Sequence, residues 1–267
     1  MAQKVVIVTG ASSGIGKSCA EYLKQRGHKV YCASRSTEDQ LTDGKISLDV
    51  DNDDSVNRAV QRVFEHAGRI DVVINAAGFG IVGAVEDTAI AEAKTQFETN
   101  FFGVVRVCKA VLPVMREQGS GLIINISSIA GLVSLPFQAF YSASKFALEG
   151  MTEGLRMEVA PFGVRIVLVE PGDFRTQFTA NRKQTREATN NSGYRERYNK
   201  ALAVFEKEEA HGDDPVDIAR LVSRIIDSKS PRLRYSVGPA GERIVPGLKQ
   251  ILPHKVYQWL FMKHYNI

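Results

Sequence analysis

Apolar residues fall along this chain in two alternating kinds of run. KVVIVT (4–9), KVYCAS (29–34), KISLDV (45–50), DVVINAAG (71–78), GLIINISS (121–128), VRIVLVEPG (164–172) and LRYSV (233–237) are short and lack the alternation of a half-exposed strand. Such runs are expected to be strands buried on both faces. Between them lie stretches with a helical period, at about 15–24, 53–68, about 91–118, 140–160 and 215–227. In 53–68 the apolar Val56, Val60, Val63 and Phe64 share one face, Asp53 and Asp54 open it and Gly68 closes it. Acids at the start and glycine at the end are the chemistry of helix termini. Pro113 is expected to kink the long helix near its end, Pro161 and Gly163 to stop the one before them, and Pro215 to sit in a first turn.

Strands alternating with helices predict an α/β fold, a parallel sheet covered by helices on both faces. No repeat, low-complexity segment or linker interrupts the pattern, so 1–267 is read as a single domain. The stretch 175–212 breaks the rhythm: it is polar and follows the C-terminal end of a strand. Ligands bind at that edge of open α/β sheets, and a helical lid over a site is expected there.

Composition narrows the class. With 44% hydrophobic and 24% charged residues the chain is an ordinary globular one, and no apolar stretch is long enough to span a bilayer. The start lacks the basic and apolar segments of a signal peptide, and Cys19, Cys32 and Cys108 are an odd set at wide spacing. Both point to a cytoplasmic protein without disulfides. The five scattered histidines make no metal-ligand spacing, and no metal is expected. The net charge of +4 is uneven: residues from Lys229 onward carry +6, with Glu242 their one acid, which leaves −2 for the rest. The lid segment 175–200 carries +5, read as a solvated polar cover, with attraction of an acidic substrate as the alternative. No nucleic-acid partner is expected. The tail, 239–267, mixes Trp259, Leu260, Phe261 and Met262 with lysines. Packing on the protein's own substrate pocket is the first reading; a second subunit or an anionic membrane surface are the alternatives.

TGASSGIG (9–16) lies between the first strand and the first helix. Gly10 permits a tight turn, Gly14 leaves room for a pyrophosphate, Gly16 lets helix and strand pack, and the free N–H groups of the helix start favour phosphate. Dinucleotide contacts are expected from Gly10, Ser12, Ser13, Gly14, Ile15 and Gly16. The second strand ends YCASRS (31–36), with Arg35 where an acid would select the unphosphorylated ribose. A guanidinium there suits a 2′-phosphate, with the Ser13 hydroxyl in support, so NADP(H) is the expected cofactor. Asp49 and Val50 end the third run, with Asp49 suited to an adenine amino group; Asn75, Ala76, Ala77 and Gly78 are expected along the adenosine.

YSASK (141–145) puts Tyr141 and Lys145 one helical turn apart with only small side chains between them. A free phenol titrates near ~10, and a nearby ammonium lowers that value, so the pair is expected to act as an acid/base near neutral pH. Short neighbours let other groups approach the helix closely. Ser128, ending the fifth strand, can hydrogen-bond a substrate oxygen. Asn100, in ETNFFG, is polar within an apolar helical segment and needs a partner; a water linking Lys145 to solvent is one.

Taken together, TGASSGIG, NAAG, Asn100, Ser128, YSASK and EPGDFRT resemble the classical short-chain dehydrogenase/reductase family over nearly all of the chain up to about residue 180. The resemblance implies a Rossmann-like doubly wound parallel sheet of about seven strands, a catalytic set of Asn100, Ser128, Tyr141 and Lys145, and a homodimer or homotetramer. It also implies that Lys145 binds the nicotinamide ribose and that Pro171, Gly172 and Thr176 meet the nicotinamide carboxamide. GLVSLPFQAFYSASKFALEG and APFGVRIVLVEPG are similar to the NADP-dependent 17β-hydroxysteroid and retinol dehydrogenase branch. The activity so implied is NADP(H)-dependent interconversion of a carbonyl and an alcohol, on a steroid-like, retinoid-like or other hydrophobic ketone. A 3-oxoacyl thioester reductase and a non-catalytic NADP(H) sensor are the alternatives. The first is disfavoured by the long tail, the second by the intact catalytic set.

Overall fold

Seven of the apolar runs pair into one all-parallel sheet in the order β3-β2-β1-β4-β6-β7-β9. The computed structural model describes residues 2–188 and 193–267. In chain order the elements are β1 (Val5–Thr9), α1 (Gly14–Gln25), β2 (Lys29–Ser34), β3 (Lys45–Ser47), α2 (Asp53–Ala67), β4 (Val72–Asn75), β5 (Ile81–Val82), α3 (Ile90–Phe97), α4 (Gly103–Glu117), β6 (Gly121–Ile126), α5 (Ala139–Val159), β7 (Val164–Pro171), α6 (Phe178–Asn181), β8 (Lys183–Gln184), α7 (Arg195–Ala210), α8 (Val216–Asp227), β9 (Arg234–Val237), α9 (Ala240–Ile251) and α10 (His254–His264).

The unbroken apolar runs follow from burial on both faces. Val5, Ile7, Val73, Ile123 and Ile166 point to the side covered by α2, α4 and α5. Their neighbours Val6, Val8, Val72, Leu122 and Val167 point to the side covered by α1 and α8. Each position therefore enters one of two cores, and no polar alternation survives. The chain runs outward from β1 through β2 to β3 and then returns to β4 on β1's other side. That reversal opens a crevice at the C-terminal ends of β1 and β4, the place where such sheets bind ligands.

Several elements depart from the pattern. The expected helix at 91–118 is three pieces: α3, a π-helical turn over Glu98–Phe102, and α4, which continues past Pro113. The third strand stops at Ser47, and residues 49 and 50 turn toward α2, which Asn52 caps by accepting from Ser55 N–H at 2.8 Å. Within the lid, β8 pairs with β5 as a two-residue parallel bridge, held by Lys183 N–H to the Gly80 carbonyl at 2.9 Å and Thr185 N–H to the Val82 carbonyl at 3.0 Å. The tail folds into α9 and α10, separated near Pro253.

Candidate active site

A cleft of about 1090 Å³ opens along the C-terminal ends of β1, β2, β4, β6 and β7 and is roofed by α7, α9 and α10. Gly10, Ser12, Ser13, Gly14, Ile15 and Gly16 form its floor at one end, joined by Arg35, Asp49, Val50, Ala76, Ala77 and Gly78. Two glycines are there of necessity. Gly10 has φ +66, and a Cβ on it would stand 2.8 Å from Ala77 Cα; a Cβ on Gly16 would collide with the Gly10 carbonyl. Gly16→Ala should therefore force the turn off the helix at a cost of ~1–3 kcal/mol, read as a lowered Tm. An unchanged Tm would show that the turn relaxes freely.

The same end fits a dinucleotide. Ser13 caps α1 without a side-chain bond and no acid stands in the first turn, so the helix start presents free N–H groups to the cleft. The Thr9 hydroxyl accepts from the Ala76 and Ala77 N–H groups at 3.1 and 3.3 Å and so shapes the loop opposite. Arg35 is exposed at the mouth and makes no ion pair among the described residues. Asn75 is not brought to the cleft wall. As the last residue of β4 it faces the sheet's interior, where its Nδ2 donates to Asn125 Oδ1 at 2.9 Å, and Asn125 in turn donates to Thr152 Oγ1 at 2.9 Å. Asp49 lines the cleft, with one carboxylate oxygen accepting from Asp51 N–H at 3.1 Å.

At the other end Ser128, Tyr141 and Lys145 come together with Pro171 and Gly172, while Thr176 lies over the glycine turn, its Cβ 3.6 Å from where a Cβ on Gly14 would stand. Ser128 leaves β6 in extended conformation; its hydroxyl accepts from Ala130 N–H at 3.1 Å and donates to the Pro171 carbonyl at 3.4 Å. Lys145 donates to the Ile126 carbonyl at 2.9 Å, with Nζ 6.0 Å from the Tyr141 ring centre. The Phe178 ring packs 5.6 Å from that of Tyr141 and closes this end. The small residues between Tyr141 and Lys145 have partners of their own. Ser142 accepts from Leu135 N–H at 3.1 Å, and Ser144 donates to the Tyr141 carbonyl at 2.7 Å.

Asn100 stands behind the wall, fully buried in the π-helical turn. Its Oδ1 accepts from Phe79 N–H at 3.0 Å, and its Nδ2 donates to the Phe79 carbonyl at 2.9 Å and to Ser144 at 3.2 Å. The amide is thus engaged in holding the loop after β4. A Cβ on Gly78 would lie 3.1 Å from Asn100 Oδ1 and 3.9 Å from Lys145 Nζ, so Gly78 is the point where loop, Asn100 and Lys145 meet.

Burial reverses the expected direction of the tyrosine's acidity. The phenol of Tyr141 is pushed up to about 12 by loss of water, reinforced by Glu209 and Asp173 and opposed by the Ser128 hydroxyl and by Arg182. Lys145 is pushed down to about 8 by the same loss of water, against the charge of Glu149. Low dielectric penalises both charged forms, and the two shifts diverge from what the pair alone would give. Glu149, one turn further along α5, is buried and held up near 7 mainly by burial; it accepts from Arg234 Nε at 3.0 Å. Glu149→Gln removes the negative charge that supports the Lys145 ammonium. Its alkaline activity limb should therefore move to lower pH by about one unit, ~1.4 kcal/mol; an unmoved limb would make Glu149 purely structural.

The sequence pattern missed the carboxylates that share this end. Asp173, Glu208, Glu209 and Glu242 all line the cleft. Asp173 is raised to about 8 by burial and then by Glu242, Glu209 and Glu208. Glu242 is raised too, although its Oε2 accepts from Asp173 N–H at 2.7 Å. Glu209 pairs with the buried Arg182, and Glu208 with His264 at 2.9 Å. The basic lid does not make the wall basic: Lys200 pairs with Glu196 at 2.6 Å, and Lys183 lies over the Phe79 ring at 4.9 Å. Glu242, the one acid in a basic tail, was the available signal. No three His, Cys, Asp or Glu among the described residues converge closely enough to hold a metal ion.

The family model for short chain dehydrogenase matches residues 4–187. A 3-ketodihydrosphingosine reductase of Bacteroides thetaiotaomicron is 43% identical over the whole of both chains. A short-chain dehydrogenase of Streptomyces avermitilis superposes with a TM-score of 0.82 at 35% identity, covering 98% of each chain. One from Burkholderia phymatum, solved in complex with NAD, has the same fold with a TM-score of 0.79 at 24% identity over 93% of this chain and 95% of its own. The all-parallel seven-stranded sheet is the fold of these structures, and the chain belongs to the short-chain dehydrogenase/reductase family of oxidoreductases.

Proposed function

We propose that this protein is an NADP(H)-dependent reductase acting on a long-chain ketone that carries an amine beside its carbonyl, the 3-ketodihydrosphingosine type of substrate. The observation that carries the reading is the meeting, in one cleft, of Tyr141 with the Asp173 and Glu242 carboxylates under an apolar roof of Val245, Leu248, Leu252 and Phe261. Mutual repulsion and burial leave the carboxylates in want of a cation, and an ammonium supplies it with charge-assisted bonds. The apolar roof suits an alkyl chain. End-to-end similarity to the Bacteroides reductase supports the same class, as the similarity includes the tail that forms the roof.

The nicotinamide, when bound, supplies the hydride. The protein's own part is to hold the ketone and to deliver a proton. The Ser128 hydroxyl orients the carbonyl oxygen toward Tyr141, whose phenol, raised to about 12, is fully protonated at neutral pH and is an acid ready to donate as negative charge develops on that oxygen. The ammonium of Lys145 then stabilises the phenolate. Arg35, exposed at the mouth, favours a 2′-phosphate on the cofactor and so NADP(H).

The test is NADPH consumption with 3-ketodihydrosphingosine, its N-acetyl derivative, a plain long-chain ketone and a 3-oxoacyl thioester. The free amine should be preferred. Asp173→Asn should raise its KM by ~10–100-fold, the ~1.5–3 kcal/mol of a charge-assisted hydrogen bond, and leave the plain ketone unchanged. Equal turnover of amine and N-acetyl derivative would sink the ammonium seat, and preference for the thioester would move the protein to the acyl-chain reductases. The same variant has a stability signature. Because the Asp173 carboxyl is held up at about 8, the folded state keeps a proton that the unfolded chain releases in the ordinary carboxylate range. Stability falls as pH rises through that window. Asp173→Asn should thus raise Tm most at pH 8, less at pH 5, and little near pH 3, where the carboxyl is neutral in both states.

A further inference from the structure

The tail helices α9 and α10 differ from the other long helices in having no fully buried residue. One side of each lines the cleft, through Glu242, Val245 and Leu252 on and after α9 and Tyr257 and Phe261 on α10. The other side faces outward and is apolar. Ile244, Leu248 and Ile251 follow one another at helical spacing on α9; Val256, Trp259 and Leu260 do so on α10. Ile251 is 80% exposed, Ile244 60% and Trp259 58%. Scattered exposed apolar residues need no explanation, but six on two adjoining helices form a patch, and such patches mark contact surfaces.

The charge around the patch selects the partner. From Arg243 to the C-terminus there are four Lys/Arg and no acid. Glu242, the one acid of the tail, is turned inward onto the Asp173 N–H. Lys249 is tied to the body of the protein, donating to the Leu132 carbonyl at 2.7 Å, while Arg243, Lys255 and Lys263 are exposed. Lys263 lies over the Trp259 ring at 5.2 Å. Tryptophan flanked by lysines, above aliphatic side chains, is the composition of a helix lying at a lipid–water boundary, where the ring takes the headgroup level and the cations reach the lipid phosphates. A symmetric contact with a second copy would set these cations against each other with no acid between them. No helix among the described residues is long and apolar enough to cross a membrane.

We infer that the outer face of α9 and α10 docks on an anionic lipid surface, with Ile244, Ile251, Val256 and Trp259 in the boundary and Arg243, Lys255 and Lys263 on the phosphates. Leu248 and Leu260 are exposed on this face and also line the cleft. The apolar surface is therefore continuous from the docking face to the roof above Tyr141, and an apolar substrate dissolved in lipid meets the cleft without crossing water. The docking face itself is independent of which ketone is reduced.

Trp259 is the only tryptophan, so its fluorescence reports on this face alone. The full chain is titrated with phosphatidylglycerol vesicles and with phosphatidylcholine vesicles, and binding is read by emission shift and by flotation. The expected result is a blue shift and co-flotation with phosphatidylglycerol, at least tenfold weaker with phosphatidylcholine and weakened by salt. Ile244→Ser with Ile251→Ser, and separately Arg243→Glu with Lys255→Glu, should each lower vesicle binding by tenfold or more. None of the four side chains lines the cleft, so turnover of a short water-soluble ketone should stay unchanged and show that the variants are folded. Absence of a shift with phosphatidylglycerol, or equal binding to both lipids, would overturn the proposal. So would a blue shift that appears with protein concentration alone, together with a doubled mass, which would assign the face to a second copy.

Discussion

Tyr141→Phe should lower kcat for ketone reduction by ~10²–10⁴-fold, the range general acid catalysis supplies, with cofactor affinity nearly unchanged. The substitution removes one oxygen and keeps the ring that packs on Phe178 at 5.6 Å. Lys145, one turn away, is engaged as a donor to the Ile126 carbonyl at 2.9 Å. Stopped-flow hydride transfer and direct NADPH binding, measured on the same preparation, separate loss of chemistry from loss of binding. Retained turnover would remove Tyr141 from the mechanism. The pH dependence adds a second constraint. Lys145 titrates at about 8, so its ammonium is complete below that value and lost above it. The native enzyme should reduce ketones at a steady rate through neutral pH and slow as pH passes about 8. Oxidation of the alcohol needs the phenolate of a group raised to about 12, and should be slow at neutral pH and rise with alkalinity.

The parts of this site that could be read from sequence are those whose chemistry is local. The glycine turn, Ser128 at a strand end and the Tyr141 and Lys145 spacing each depend on a few consecutive residues, and the structure brings them to one cleft. The strands were legible because burial on both faces leaves uninterrupted apolar runs, as in KVVIVT. What was not legible depends on tertiary contact. Asp173, Glu208, Glu209 and Glu242 come from a loop and two helices, and nothing in their spacing announces that they share a wall. The direction of the Tyr141 shift turns on burial, which pair spacing does not report. Asn75 and its neighbours Ala76 and Ala77 belong to one motif, yet the pleat sends Asn75 inward to Asn125 while the next two residues reach the cleft. The π-helical turn around Asn100 changes the bonding of five residues within a long periodic stretch, too little to alter its apolar pattern.

Arg35→Asp should weaken NADP(H) binding by ~10²–10³-fold, as a charge-assisted contact of ~1.5–3 kcal/mol is lost and a carboxylate then repels the 2′-phosphate. NAD(H) should be nearly unaffected, or bind slightly better, because the new acid can accept from a free ribose hydroxyl. The structure makes this substitution clean. Arg35 is exposed at the cleft mouth and has no ion pair among the described residues, so Tm should not move and any loss of affinity is not a loss of fold. Exposure also means screening: the gap between the two cofactors in the native protein should narrow as salt rises, since a surface charge acts through water. Arg35→Lys keeps the charge but loses the planar fork, and should fall between the two. Calorimetric titration of each variant with both cofactors decides the matter. Equal changes for NADPH and NADH would remove the 2′-phosphate contact and leave selection to Ser13 and the rest of the turn. A change confined to NADPH would mean that one exposed guanidinium sets the cofactor, while the buried residues around Tyr141 set only the chemistry.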